Sequence, residues 1–586
     1  MNDSFLEYYE HELDHLRCAS RRFAAEFPKV ASRLQLGENE CADPYVERLL
    51  EGVAFLTARI ARKMDDGLSD FSETLLLRMA PEYVSPVASR AIVRIHGGEV
   101  GVVLPAGTAL DAQTSLPERT LCRFTVRESV RLSGLEPLSS SYEEAGASAL
   151  ADGFGVRASG YVRADFLCRG AVKSDIGLFV SLPESAACEL MSLLLHECSG
   201  IVVQAEGVER FLPASCLKHD LPESGYGGLP VLAEYFLLPG QMAFLKVKGL
   251  ADVLPSGGKA SLLFLLEGRV SSRLRLLLAE PVLLPDCVRV VNAFPRRLSR
   301  IVPSWRQSEH LVPEATAASD YEVLQVDGGA AYSEDNGKLF DLFPFYHATH
   351  GDCPAGCDRL NYISIHRENA VSPPRKRMSP YAGSDVFVQL SGPDYAALRE
   401  SVASVAVRAV CSNRDLPLFV RRDARLSLSG GEAEGTALFV DGPTPPREPL
   451  MRDASLWMGI ALARLSPGAL AACGEEALPG LLRSLLRWMH AEDHATAARQ
   501  LEGIHAASVS SRTHSVAVQG DLCTVRGWRV DVTLNENAFG GTGMYLFARA
   551  LVEFLFGLCE INSFMEARIR SSSRILWSWQ HLPTNP

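Results

Sequence analysis

The spacing of apolar residues changes near Pro81, and that change constrains the fold more than any other feature of the chain. Before it, apolar side chains recur every three or four residues, the period of an amphipathic helix. From about residue 89 they come in short runs bounded by Gly and Pro, as strands do. Ser4-x-x-Glu7 is a capping box, so a first helix is expected from about residue 5. Leu6, Tyr9, Leu13, Leu16, Phe23 and Phe27 follow on one narrow seam, with Ser20 filling its gap. Asp43-Pro44 supplies an N-cap and a first-turn proline for a second helix. There Val46, Leu49, Val53, Leu56 and Ile60 repeat the seam, and Glu47, Arg48, Glu51, Arg59, Arg62 and Lys63 cover the other face. "SDFSETLLLRMAP" predicts a third helix, stopped by Pro81. Seams this narrow suit coiled-coil-like packing, within the chain or with a partner.

The body reads as strands. "SRAIVRIHGG", "GVVLPAGTAL", "DIGLFVSL", "GIVVQAEG", "MAFLKVKG", "PDCVRVVNAF" and "SDYEVLQVDGG" are β-rich, with a helix expected at "SAACELMSLLLHE". "DGPTPPREP" (Asp441–Pro449) reads as a linker. Beyond it, "LPGLLRSLLRWMH" is helix-like. Trp528, Val530, Val532 and Leu534 then alternate with Arg529, Asp531, Thr533 and Asn535, a half-buried strand. "MYLFARALVEFLFGLCEI" is apolar on nearly all sides, so its helix should be deeply buried, and "FMEARIRS" alternates again. The fold class expected is α+β and multidomain: a helical N-terminal unit, β-rich domains, and a C-terminal β-α-β unit with a buried helix. The expected divisions are 1–88 helical, 89–320 β-rich, 321–445 mixed β-rich with a Pro/basic loop, and 446–586 α+β.

At 586 residues with 47% hydrophobic and 22% charged, the chain can build several cores. Its 58 Lys plus Arg against 70 Asp plus Glu give −12, which argues against nonspecific nucleic-acid binding and fits protein partners. No signal peptide is seen in MNDSFLEYYEHE, and no apolar run reaches the roughly 20 residues of a membrane span. The 14 scattered cysteines suit buried thiols in a reducing cytoplasm.

"HELDH" (11–15) matches the H-E-x-x-H zinc-protease pattern, with His11 and His15 as ligands and Glu12 as base. At 100° per residue, both histidines fall opposite the seam. Only ten residues precede the motif, and Cys18 and Arg21 stand where the extended motif needs Gly and His. The expectation is a solvated face. His347, His350, Cys353 and Cys357 are ligand types that suit zinc, but all four lie within eleven residues. The choice between a metal site and an unligated Gly/Pro loop stays open. "VLPSGGKAS" lacks the first glycine and the Ser/Thr of a phosphate loop. "GGTGM" reads as a glycine-rich strand-to-helix turn. Arg375, Lys376 and Arg377 form a basic run, solvated or partner-facing. Asn413, Arg414 and Asp415, before Leu-Pro, predict a turn at the end of a strand. A structural turn is the first reading, a contact with a neighbouring subunit the second, and enzymatic use the third. No catalytic residue, metal ligand or cofactor site is assigned.

Several blocks resemble the TssF family of type VI secretion baseplate subunits. They are "FLEYYEHELDHLR", "ADPYVERLLEGVAFLTARIARKMDD", "LLLRMAPEYVSPVAS", "LPAGTAL" with "CRFTV", "LAEYFLLPGQMAFLKVKGL", "VVNAFPR", "CSNRDLP" and "RGWRVDVTLNENAFGGTGMYLFARALVEFLFGLCEINSF". Residues 130–225 match poorly. In the family's first-helix pattern the two histidines of HELDH sit at variable positions. The resemblance implies a structural, non-enzymatic wedge subunit in the cytoplasm, in a baseplate docked to the inner-membrane complex. The implied partners are a TssG-like subunit, a second copy of the chain, a TssK-like adaptor, and the spike and sheath, with no nucleic acid and no membrane insertion. Tyr9, Leu13 and Leu16 on one helix and Leu49, Val53 and Leu56 on the other are the expected partner-facing knobs. Rival readings are the equivalent subunit of another contractile, phage-like tail, and a metal-dependent hydrolase using HELDH.

Overall fold

The computed structural model describes residues 3–31, 44–117, 119–144, 146–172, 174–222, 229–312, 320–345, 360–368, 379–392, 395–429, 435–452, 455–490, 494–518, 521–540, 542–560, 563–571 and 574–581. They divide into two compact units, Met1–Met79 with Arg452–Ile460, and Ala80–Met451 with Ala461–Pro586.

The first unit is built on a pair of helices. The opening helix spans Asp3–Glu26, and after Pro28 a single turn follows at Pro28–Ala31. The long helix runs unbroken from Pro44 to Met79, 36 residues. Two helices were expected here, the second starting near Ser69. Gly67 and Ser69 lower helix propensity by only about 1 kcal/mol or less each, whereas proline costs about 3 kcal/mol. No proline interrupts this stretch until Pro81, where the helix does stop. The two helices pack together, with Phe5 edge-on to Phe55 at 5.4 Å and Arg17 Nε donating to Glu47 Oε1 at 3.1 Å.

The second unit begins with a closed six-stranded barrel. Around it run Arg90–His96, Cys287–Val291, Leu121–Val126, Ala109–Gln113, Leu426–Ser429 and Thr436–Asp441, which returns to the first strand. Val93, Phe124, Val288, Val290 and Ala437 belong to its core. Closure leaves the barrel's sheet without edges. The barrel thus draws strands from residue 90 to residue 441. The proline-rich segment read as a linker is part of this structure. Thr444 N donates to Arg90 O at 2.8 Å and Arg447 N to Val87 O at 2.9 Å, so the segment lies alongside the first strand. Its prolines cost little there, because an extended edge segment needs few N–H donors.

Two antiparallel sheets, of five and four strands, occupy Leu135–Pro285 between barrel strands, with the expected helix at Glu184–His196. A seven-stranded sheet follows, ordered Phe294–Arg297, Ser404–Ser412, Glu322–Tyr332, Lys338–Pro344, Leu360–Glu368, Ser384–Ser391, Glu309–Leu311.

The C-terminal region is a β-α-β unit, as expected. The strand Asp521–Leu534 leads to the helix Tyr545–Phe556, and Phe564–Ser571 returns parallel to it, Gly527 opposite Phe564 and Leu534 opposite Ser571. Leu551 and Leu555 are fully buried. The helix ends at Phe556, so Leu558, expected on the same stripe, lies beyond it and is half-buried. Among the described residues no helix is long and apolar enough to cross a membrane.

Candidate functional site

Two places collect the residues singled out by sequence: the surface of the long helix and a buried turn between sheets.

On the opening helix, Leu13 is buried, Tyr9 and Leu16 are half-buried, and Leu6 is exposed. Phe23 and Phe27 are exposed as well, so the seam of that helix is used inside the unit only around Tyr9, Leu13 and Leu16. On the long helix the relation is reversed. Ala54 and Ala58 are fully buried, whereas Leu49, Val53, Leu56 and Ile60 are 68%, 44%, 57% and 60% exposed. Tyr45 and Met64 extend this stripe at either end, also exposed. Val46, Val53 and Ile60 fall at the a positions of a heptad, and Leu49 and Leu56 at d. In a parallel coiled coil, β-branched a residues with Leu at d favour two strands. Covering one such side chain fully is worth about 1.5–3 kcal/mol. A contiguous exposed apolar stripe of this kind is uncommon on the surface of a monomer.

His11 and His15 are exposed, and His11 Nδ1 stands 4.0 Å from Glu12 Oε1. Among the described residues no group of His, Cys, Asp and Glu is placed to hold a metal ion. His347, His350, Cys353 and Cys357, like Arg375, Lys376 and Arg377, lie outside the described residues.

Asn413, Arg414 and Asp415 form a turn between the strand Ser404–Ser412 and a 3₁₀ segment, Leu416–Phe419. Asn413 is fully buried. Its Oδ1 accepts from Arg123 N at 3.0 Å and from Asn292 Nδ2 at 2.9 Å, and its own N–H donates to Asn292 Oδ1 at 2.7 Å. Asn292 Nδ2 also donates to Arg123 O at 2.8 Å. Arg123 belongs to a barrel strand and Asn292 follows another, so the amide pair joins the barrel to the seven-stranded sheet. Arg414 takes a left-handed backbone, φ 52°, which costs an L residue about 1–2 kcal/mol. Offsetting this, Arg414 Nε donates to Tyr321 O at 2.9 Å, and Nη2 lies 3.7 Å from Asp385. Burial raises the Glu322 carboxyl above its ordinary range, and the Arg414 charge opposes that rise. Tyr381 Oη donates to Glu322 at 2.7 Å, Ser384 N to it at 2.7 Å, and Ser379 Oγ to Asp415 at 2.6 Å. Several of these interactions fix backbone groups, among them Arg123 N, Asn413 N, Tyr321 O and Ser384 N.

Sequence reasoning missed a second buried polar centre. "LAEYFLLPG" gives no alternation and no amphipathic period, yet it contains a helix, Val231–Leu237, with Glu234 only 1% exposed. Arg90 and Arg127 converge on that carboxylate at 2.8 and 3.0 Å. Burial pulls Arg90 down to about 10, against the Glu234 charge, with Arg127 lowering it further. A carboxylate alone in an apolar run was the available signal, because such a group must find a cation inside.

Comparison with known proteins agrees with this architecture. The family model described as "Type VI secretion system, TssF" matches residues 1–585. The chain is 32% identical over 624 aligned residues to type VI secretion system component TssF1 of Pseudomonas aeruginosa, covering 100% of this chain and 99% of that protein. Its fold is similar to a chain of the type VI secretion system TssK-TssF-TssG baseplate subcomplex solved by cryo-electron microscopy. The TM-score is 0.71 at 19% identity, covering 92% of this chain and 99% of that one. A chain of the baseplate complex from the type VI secretion system matches with a TM-score of 0.54 at 18% identity, covering 99% and 100%.

Proposed function

The chain belongs to the TssF family of the type VI secretion system, and from that membership we propose that it is a structural, non-enzymatic subunit of the baseplate wedge. It works at the cytoplasmic side of the inner-membrane complex, where it holds and triggers the contractile sheath. The observation that carries this reading is the exposed a/d stripe of the long helix. Residues 1–88 form the wedge-bundle region, in which Leu49, Val53 and Leu56 are covered by a helix of a TssG-like subunit bundled with the same helix of a second copy. One solved structure of similar fold supports it, being a chain of a TssK-TssF-TssG baseplate subcomplex. A TssK-like adaptor, the spike and the sheath complete the neighbours. The buried Asn413 turn and the Glu234 cluster favour a rigid body over a catalytic one.

The test is co-purification with the TssG-like protein of the same system. Val53→Asp with Leu56→Asp puts two carboxylates on the exposed stripe. The variant should fold as the wild type does and lose the partner. Recovery of the partner at wild-type yield would remove the stripe from the interface.

A further inference from the structure

The helix Val231–Leu237 has seven residues, too few to be stable by itself. From Leu232 to Leu237 every residue is buried. Two adjacent side chains grip different parts of the second unit. Glu234 accepts from Arg90 Nη1 at 2.8 Å, Arg127 Nη1 at 3.0 Å and Leu229 N at 3.0 Å. Arg90 opens the first barrel strand, and Arg127 follows the barrel strand Leu121–Val126. Tyr235 points elsewhere, as neighbours on a helix do, about 100° apart. Its Oη donates to Glu184 Oε1 at 2.9 Å and accepts from Gln500 Nε2 at 2.9 Å. Gln500 also donates to Thr542 Oγ1 at 3.0 Å, just before the buried C-terminal helix. Phe236 adds ring contacts to Phe547 of that helix at 6.2 Å and to His490 at 5.5 Å.

We propose that this helix is a two-sided latch: it couples the barrel to the C-terminal α+β region, so that release on one side releases the other. The physical ground is that Glu234 and Tyr235 share one short rigid element. A shift that frees the Tyr235 hydroxyl from Gln500 also moves the Glu234 carboxylate away from two buried guanidiniums. Charges cut off from water do not tolerate half-formed pairs. Packed elements of this kind have discrete arrangements and do not deform gradually. The coupling is therefore reciprocal, as any coupling free energy must be.

The test is hydrogen exchange on the full-length protein, read separately in Arg90–His96 and in Ala495–Glu502. Tyr235→Phe deletes one hydroxyl and keeps the ring, so it directly touches Glu184 and the C-terminal side but none of the barrel contacts. Exchange should rise in the strand Arg90–His96 as well as in Ala495–Glu502, by about tenfold in each, within the usual range of coupling between sites. Glu234→Gln, on the barrel side, should show the mirror result. If each variant loosens only its own side, or Tyr235→Phe leaves both segments unchanged, the latch is wrong and the two contacts are independent packing. Should Glu234→Gln fail to fold, Tyr235→Phe alone decides.

Discussion

Asn292 and Asn413, 121 residues apart in sequence, form a closed amide exchange: Asn413 N–H donates to Asn292 Oδ1 at 2.7 Å, and Asn292 Nδ2 donates back to Asn413 Oδ1 at 2.9 Å. The following Phe294 pairs in register with Cys411, so the two segments continue side by side into the seven-stranded sheet. Two short sequence blocks with no visible relation to each other thus prove to be halves of one joint.

Asn413→Ala removes the acceptor of Arg123 N and of one of the two Asn292 Nδ2 hydrogens, the other staying on Arg123 O. Each unsatisfied group costs about 1–3 kcal/mol. The expected outcome is a clear fall in melting temperature, and a coupling with Asn292→Ala that makes the double variant less damaging than the sum. Additive losses would show that the two amides do not act as a pair.

The two helical seams should respond in opposite ways. Leu13→Asp places a carboxylate in a buried position, which costs several kcal/mol. It should lower helical content and melting temperature in the isolated protein. Val53→Asp lies on the exposed stripe and should change stability by less than about 0.5 kcal/mol. Circular dichroism melts of the two variants separate the cases, and His11→Ala with His15→Ala should melt as wild type.

Leu555 is fully buried in the C-terminal helix. Leu555→Asp should yield insoluble or unfolded protein, because an unpaired carboxylate there costs several kcal/mol. Leu558→Asp, past the helix end and half-buried, should be milder. Soluble expression levels rank them directly.

Glu566 offers a test by pH. Burial alone would raise its carboxyl, but hydrogen bonds from Arg529 Nε at 2.8 Å and Arg568 Nε at 2.7 Å, with their charges, outweigh that and hold it below its ordinary value of 4.5. A depressed folded pKa contributes stability that is fully present above the unfolded value and is lost as pH falls through the folded one. Glu566→Gln should therefore be less stable than wild type at pH 7 and show a flatter decline below pH 4.5. Parallel acid limbs for the two proteins would contradict the assignment.

What could be read from sequence was local. The buried helix around Leu551 and the alternation of Trp528 to Leu534 each declare themselves within a dozen residues, since period is a short-range signal, whereas the first helix already includes Asp3 and Ser4, so Ser4 does not cap it as expected. The continuity of the long helix was misjudged because Ser69-Asp70 looks like a cap wherever it stands. The barrel was invisible as a barrel: Val93 lies opposite Phe439, and nothing near either residue encodes the other. The helix Val231–Leu237 escaped for a different reason. Buried on all sides, it has no polar face to give it a period. The turn at Asn413 could be placed, but its partner Asn292 could not. The outward direction of Leu49, Val53 and Leu56 was expected; the inward use of Leu13 became clear only once the two helices were seen packed together.

Barrel closure also sets an order of events during synthesis. Arg90 N and the Thr444 hydroxyl it bonds are 354 residues apart. At about 5–20 residues per second, a ribosome needs on the order of 20–70 s to travel that distance. Throughout that interval the first barrel strand is out of the exit tunnel with no closing strand available. The helical pair, complete by Met79, has already emerged with its apolar stripe uncovered. The nascent chain thus carries an exposed apolar stripe while its barrel is still unfinished.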